Sequence, residues 1–393
     1  MIHKNRLFTP GPTQLLPSAQ LAMAAATMHH RTAEFRAIYT RVLADLKVFV
    51  GTKNDVVMFT ASGTGAMEAA VANLTSPGDK VLVATAGKFG ERWEGLAKAY
   101  GCELETVRSP YGQTVTPQQV REQLKPDHKV LFLQATESST GVRHDVEGIA
   151  RLTKGTDTLL VADAITGLGT THFDVDSWGV DILIGGSQKA VMVPPGLAYC
   201  SVSDRAWQRM ETTKNPRYYF DLRKERKNGA KGESAYTPST ALVAALDAAL
   251  SYIREQGGGD LAVGRKLLVD NAETAAAMTR AAAKALGLNL FSASSPGAAL
   301  TAIAAPDGMD SSDIVKAFRN QFGAIIANGQ GEMKGQLFRI AHLGYYDYLD
   351  TIAAIGALEQ VLASLGKDIK LGAGLQAAQQ VYVGSVQPAM AAK

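Results

Sequence analysis

The chain is short of cysteine, of excess charge of either sign and of long apolar runs, and each shortage removes a class of function. Its two cysteines, Cys102 and Cys200, lie far apart in 393 residues, which argues against a disulfide framework and for free thiols in a reducing compartment. Lysine and arginine number 40 against 37 aspartates and glutamates, a formal charge of +3. No basic stripe is interleaved with aromatic residues, so nucleic acid is not an expected partner. No apolar run approaches the roughly 18–20 residues a membrane helix needs, so no membrane partner is expected. Lys4 and Arg6 precede a mildly apolar stretch at 21–28, but Pro10, Pro12, Gln14, Pro17 and Gln20 interrupt any secretory leader. A cytoplasmic location is the resulting expectation.

What is present reads as an ordinary globular protein: 46% hydrophobic and 20% charged residues. The length exceeds one simple core, so two domains are expected. Continuous apolar runs at Val56–Thr60, Lys80–Thr85, Lys129–Ala135, Thr158–Asp163, Val180–Ile184 and Gly196–Val202 predict strands covered on both faces. Helical patterns at Gly65–Leu74, Glu91–Ala99 and Glu147–Thr153 alternate with them, which predicts βαβ units and a mostly parallel sheet. The basic, polar stretch Asn215–Gly232 predicts an exposed excursion. Two alanine-rich helical patterns follow, Ser239–Glu255 and Asp260–Leu286. A second, smaller α/β pattern then includes Ala298–Ala304, Ser311–Phe322, Gln336–Ala341 and Asp347–Leu365. The expected division is an N-terminal segment at 1–20, a large domain at 21–255, a small one at 256–365, and a loosely held tail at 366–393.

Three places carry chemistry. Ala61-Ser62-Gly63-Thr64-Gly65 follows a predicted strand and opens a predicted helix, where free N–H groups favour a phosphate; an N-capped helix alone is the other reading. It fits neither the dinucleotide pattern G-x-G-x-x-G, since Glu68 stands at the third glycine, nor a Walker A loop. Asp163 ends an apolar strand, where α/β proteins bind ligands; taken by itself it reads first as a helix cap or turn residue. Lys189 follows Gly185-Gly186-Ser187-Gln188 and precedes an apolar run, a setting that can desolvate an amine and make it nucleophilic.

Phosphate loop, strand-end aspartate and strand-end lysine, in that order, resemble a fold-type I pyridoxal-phosphate enzyme. The blocks TPGP (Thr9–Pro12), SGTGAMEAA (Ser62–Ala70), ESSTG (Glu137–Gly141), VADA (Val161–Ala164), GSQKA (Gly186–Ala190), PPG (Pro194–Gly196), TP (Thr237-Pro238) and FRIAHLG (Phe338–Gly344) resemble class V aminotransferases. The alanine–glyoxylate and serine–glyoxylate (serine–pyruvate) group is the most similar, over roughly residues 7–362. That resemblance implies an α/β fold with a smaller C-terminal domain, pyridoxal phosphate as cofactor, and transfer of an amino group from serine or alanine to glyoxylate or pyruvate. Aspartate, ureidoglycine and aminophosphonate donors occur in the same class. A lyase or desulfurase would share the lysine, but neither Cys102 nor Cys200 sits where a desulfurase needs its nucleophile.

The resemblance also implies residue roles. Lys189 holds the cofactor covalently and moves the substrate proton, and Asp163 pairs with the pyridine nitrogen. Ser62, Gly63 and Thr64, helped by Gln188, hold the phosphate. Phe89 stacks on the ring, where many members carry tryptophan; ordinary core is its other reading. Ser138 faces the cofactor's phenolic side. Thr237, and with it Tyr236, reaches the phosphate in the neighbouring subunit of a homodimer with shared sites. Arg339 grips the substrate α-carboxylate, with a buried ion pair as its other reading, and Gly11 lies beside the substrate. His29, His30 and Arg31 close the site structurally.

Overall fold

The computed structural model describes residues 2–25 and 28–391; Met1, Ala26, Thr27, Ala392 and Lys393, which belong to segments delimited above, lie outside the described residues. The six expected runs and one further strand form a seven-stranded sheet, with β1 Asp55–Phe59, β2 Lys80–Thr85, β3 Glu103–Arg108, β4 Val130–Gln134, β5 Leu159–Asp163, β6 Ile182–Gly186 and β7 Ala198–Val202. Their spatial order is β1-β7-β6-β5-β4-β2-β3. All pairings are parallel except those of β7, which runs antiparallel to both β1 and β6.

The strands read as unbroken apolar runs because alternate residues feed two different cores. Leu82, Leu131, Leu133, Leu160 and Leu183 join the core on one face. Val81, Val83, Val130, Phe132, Val161 and Ile184 join the other, under helices α1 (Gly63–Leu74) and α2 (Gly90–Ala99). Gln134 and Asp163, which end neighbouring strands in register, share the parity of this second face.

A third core lies apart from these, around a three-stranded antiparallel sheet of Leu300–Ala304, Leu337–Ala341 and Ala327–Asn328. The N-terminal segment is built into it. Arg6–Leu7 pairs in parallel with Ala324–Ile325, and Phe8 is buried among Ile303, Phe318 and Ile340. The segment then crosses to the large sheet, where Thr13 donates its N–H to the Gln188 carbonyl and its hydroxyl to that of Lys189.

The structure adds one strand and corrects two expectations. The edge strand β3, Glu-Leu-Glu-Thr-Val-Arg, carries charges and pairs on one side only, so no apolar run announced it. Asn215–Gly232 is not a solvated excursion throughout. It contains helix α3 (Leu222–Gly229), in which Leu222 and Glu225, three apart, face inward and are buried. The tail is not loosely held from residue 366. Helix α6 (Ala373–Ala391) packs on α4 (Leu261–Ala285) and α5 (Tyr348–Ser364), burying Ala378. Its start is pinned by the Glu359 carboxylate, which accepts the N–H groups of Gly372, Gly374 and Leu375. Among the described residues no helix is long and apolar enough to cross a membrane.

Candidate active site

A cleft at the carboxyl ends of β4, β5 and β6 brings together Ser62, Gly63, Thr64, Phe89, Ser138, Asp163, Gln188 and Lys189, with Arg92, Gln134, Ile165 and Thr166. Eight expected residues therefore converge from five separate chain segments. Ser62 is the N-cap of α1, and its hydroxyl caps none of the helix N–H groups; the Gly65 N–H is taken by the Ser62 carbonyl, which leaves the hydroxyl and the Gly63 and Thr64 amides to meet an anion. Gly63 is small for a reason: a Cβ there would overlap the side chain of Ile165.

Asp163 is buried at 3% exposure. Its Oδ1 accepts the Ile165 N–H at 2.8 Å and its Oδ2 accepts the Gln134 amide at 2.7 Å. Burial pushes its carboxyl up; these two hydrogen bonds and the Lys189 and Arg92 cations pull it back down. A buried carboxylate without such partners would cost several kcal/mol, on the order of its desolvation penalty. Gln134 is itself fixed, since its Oε1 accepts the Trp93 indole N–H at 3.0 Å.

Burial pulls the Lys189 amine down to about 8; Asp163 supports its charge, while Arg339 and Arg92 oppose it. Its Nζ donates to the Pro10 carbonyl. Gly11 follows at φ +134°, and a Cβ there would lie 2.5 Å from Lys189 Nζ. Glycine at this position is thus what lets the N-terminal segment pass over the lysine.

Arg339 projects from the small sheet and is 4% exposed. Its Nη1 donates to the Ser138 carbonyl at 2.6 Å, and its Nε and Nη2 donate to the Asn328 carbonyl. These partners are neutral carbonyls, so the buried ion pair considered above is not what holds it. Burial pulls the guanidinium down to about 10, with Glu137 supporting its charge.

Tyr236 and Thr237 are not in the cleft. They lie with Tyr39, Thr60, Leu197 and Glu225, and the Tyr236 hydroxyl donates to the Tyr218 carbonyl at 2.7 Å. His29, His30 and Arg31 lie outside the cleft lining as well. Sequence reasoning missed Gln134 and Arg92. Gln134 had a signal, a polar residue closing an apolar strand next to the Asp163 strand. Arg92, on the first turn of α2, reads as a surface charge until its Nη1 is seen donating to Thr64 Oγ1 at 2.9 Å, with the guanidinium over the Phe89 ring.

The donor set fits pyridoxal phosphate. A lysine with a depressed pKa suits an aldehyde, a buried carboxylate suits a pyridinium, and a helix N-terminus suits a phosphate. Gln188 Oε1 adds a buried polar atom with no hydrogen-bond partner among the described residues. Fold and site define a pyridoxal-phosphate-dependent enzyme of fold type I.

The similarities agree. Residues 16–332 match the aminotransferase class-V family. A protein of Synechococcus sp. (strain PCC 6716) named soluble hydrogenase, small subunit, is 39% identical over 97% of this chain and 99% of its own. The L-aspartate–glyoxylate aminotransferase of Paracoccus denitrificans is 34% identical over 97% of both chains. The serine–glyoxylate aminotransferase of Methylorubrum extorquens is 31% identical over 95% of both. The solved structure of an aspartate aminotransferase of subgroup IV from Thermus thermophilus superposes with a TM-score of 0.84 at 34% identity, over 92% of this chain and 99% of that one. The chain belongs to the class V aminotransferases, and its cofactor is pyridoxal phosphate. The hydrogenase name remains the relative's own. Among the described residues here, no group of three or more His, Cys, Asp or Glu could hold a metal ion.

Proposed function

We propose that the protein moves an amino group from a small amino acid, serine or alanine, to glyoxylate or pyruvate, in two half-reactions at one site. The observation that carries this reading is Arg339. It is a buried guanidinium committed to neutral carbonyls and to no carboxylate, so its charge remains available to one substrate α-carboxylate.

The bound cofactor supplies an electron sink for the bond broken at the substrate Cα. The remaining work falls to side chains. Lys189 takes the Cα proton and returns it, a task suited to an amine that burial has brought to about 8. Asp163, oriented by Gln134 and Ile165, keeps the pyridine nitrogen protonated. Ser62, Gly63, Thr64 and Gln188 hold the phosphate, Phe89 covers the ring, Ser138 faces its phenolic side, and Gly11 bounds the substrate.

Tyr236 and Thr237, remote from the cleft of their own chain, act across a homodimer on the partner's phosphate. Free thiols at Cys102 and Cys200 suit a reducing, cytoplasmic setting.

Aspartate as donor is the second reading. Arg92 lines the cleft, and relatives named for aspartate reach 34% identity. Its bond to Thr64 favours the phosphate end over a substrate side chain. Steady-state rates with alanine, serine and aspartate, each against glyoxylate and pyruvate, test the choice. Parallel reciprocal plots with alanine or serine leading support it. An aspartate preference that vanishes in Arg92→Gln moves the assignment to the second reading.

A further inference from the structure

Helix α2 begins without a cap of its own, because Phe89 occupies the N-cap position and offers no acceptor. The acceptor comes from Glu137, 47 residues further along from Gly90. Its Oε2 takes the N–H groups of Phe89 at 3.1 Å and Gly90 at 2.9 Å. Its Oε1 takes the Ser139 N–H at 3.0 Å and the Ser139 hydroxyl at 2.6 Å. Ser139 Oγ in turn accepts the Lys88 N–H at 3.1 Å. Glu137 and Ser139 are both fully buried. The chain closes tightly on the pair: a Cβ on Gly87 would lie 2.5 Å from Glu137 Cγ and from Ser139 Oγ.

Phe89, in the cleft, and Arg339, bonded to the cleft residue Ser138, both hang on this one carboxylate. Phe89 is the first residue it holds. Ser138, between Glu137 and Ser139, presents to Arg339 Nη1 the carbonyl that fixes the guanidinium at 2.6 Å. Burial pushes the Glu137 carboxyl up and its four hydrogen bonds pull it back down; a carboxylate so held at a helix N-terminus is a stiff mount, since charge-assisted bonds run about twice the strength of neutral ones. We propose that Glu137 is a positioning residue for transamination, setting the Phe89 ring against the cofactor and, through Ser138, the angle at which Arg339 meets the substrate carboxylate. This rests on the assignment of Phe89 and Arg339 to cofactor and substrate, and it is independent of which amino acid is the donor.

The test compares holoenzyme carrying Glu137→Gln or Ser139→Ala with wild type. Glutamine keeps the shape but turns one acceptor oxygen into an NH2 group that faces donors. The readouts are the circular dichroism induced in the bound cofactor's visible band, cofactor affinity, KM and kcat with whichever donor the wild type turns over fastest, and Tm. Glu137→Gln should change the induced dichroism and raise both KM and the cofactor Kd by about tenfold, the value of roughly one hydrogen bond to a charged group. Ser139→Ala should move the same readouts in the same sense by less. A purely structural cap would lower Tm in both variants while leaving dichroism, cofactor Kd and KM at wild-type values, and that result overturns the proposal. If Glu137→Gln does not fold, the same criteria applied to Ser139→Ala decide. A mistaken donor assignment leaves the dichroism and cofactor-affinity readouts untouched, so the two failures are distinguishable.

Discussion

Gln134 donates its side-chain amide to Asp163 at 2.7 Å while accepting the Trp93 indole N–H at 3.0 Å, so one glutamine ties helix α2 to the carboxylate of the cleft. The contact follows from register, since Gln134 stands opposite Asp163 where β4 and β5 end. Gln134→Leu leaves Asp163 Oδ2 without its donor. A hydrogen bond to a charged group is worth about 1.5–3 kcal/mol, so the cofactor Kd should rise roughly ten- to a hundredfold. Titration of apoenzyme with pyridoxal phosphate, followed by visible absorbance, measures this. An unchanged Kd means that Gln134 does not support the aspartate's role.

Lys189 should show its burial kinetically. Its amine lies at about 8 against an ordinary value of 10.5, because burial disfavours the ammonium form more than Asp163 favours it. Only the neutral amine attacks an aldehyde, and its fraction grows as pH rises through that value. The rate of covalent capture of cofactor by apoenzyme, fixed with borohydride and read by mass, should therefore climb between about pH 7 and 9 and then level off. Lys189→Ala should trap no cofactor. A rate still climbing toward the ordinary lysine value, or an adduct on another lysine, contradicts this.

Arg339→Lys keeps a positive charge and loses the two-pronged geometry. The expected loss is roughly ten- to a hundredfold in kcat/KM for the amino donor, with the bound cofactor's absorbance unchanged. A kinetically silent variant removes Arg339 from substrate binding.

The proposed sharing of sites across a homodimer makes a stoichiometric prediction. Lys189→Ala protein mixed with a Tyr236→Phe, Thr237→Ala double variant under subunit exchange should regain activity, because each mixed dimer pairs one intact site with one damaged at both places. Activity no higher than the sum of the parents argues that Tyr236 and Thr237 serve no neighbouring cofactor.

Much of the large sheet was legible because a parallel sheet covered on both faces writes itself as unbroken apolar runs, and Asp163 and Lys189 stand just where such runs stop. Side chains that depend on register were not legible. Gln134 matters because β4 and β5 end level, and Glu137 because its carboxylate reaches the start of α2, neither of which any local pattern encodes. Arg92 was hidden as one charge among several on an amphipathic helix. The charged edge strand β3, the two-residue inward stripe of α3 and the alanine- and glutamine-rich α6 were missed for a related reason: each gains its order from what it packs against.

The donor is settled most directly by single-turnover half-reactions. Cofactor-loaded enzyme, mixed with one amino acid at a time and no oxo acid, loses the visible absorbance of the bound cofactor as the amino group transfers. The proposed donor preference requires that alanine or serine bleach this absorbance faster than aspartate or glutamate at equal concentration, and that glyoxylate or pyruvate restore it. Fastest bleaching by aspartate, or no bleaching by any small amino acid, would contradict it.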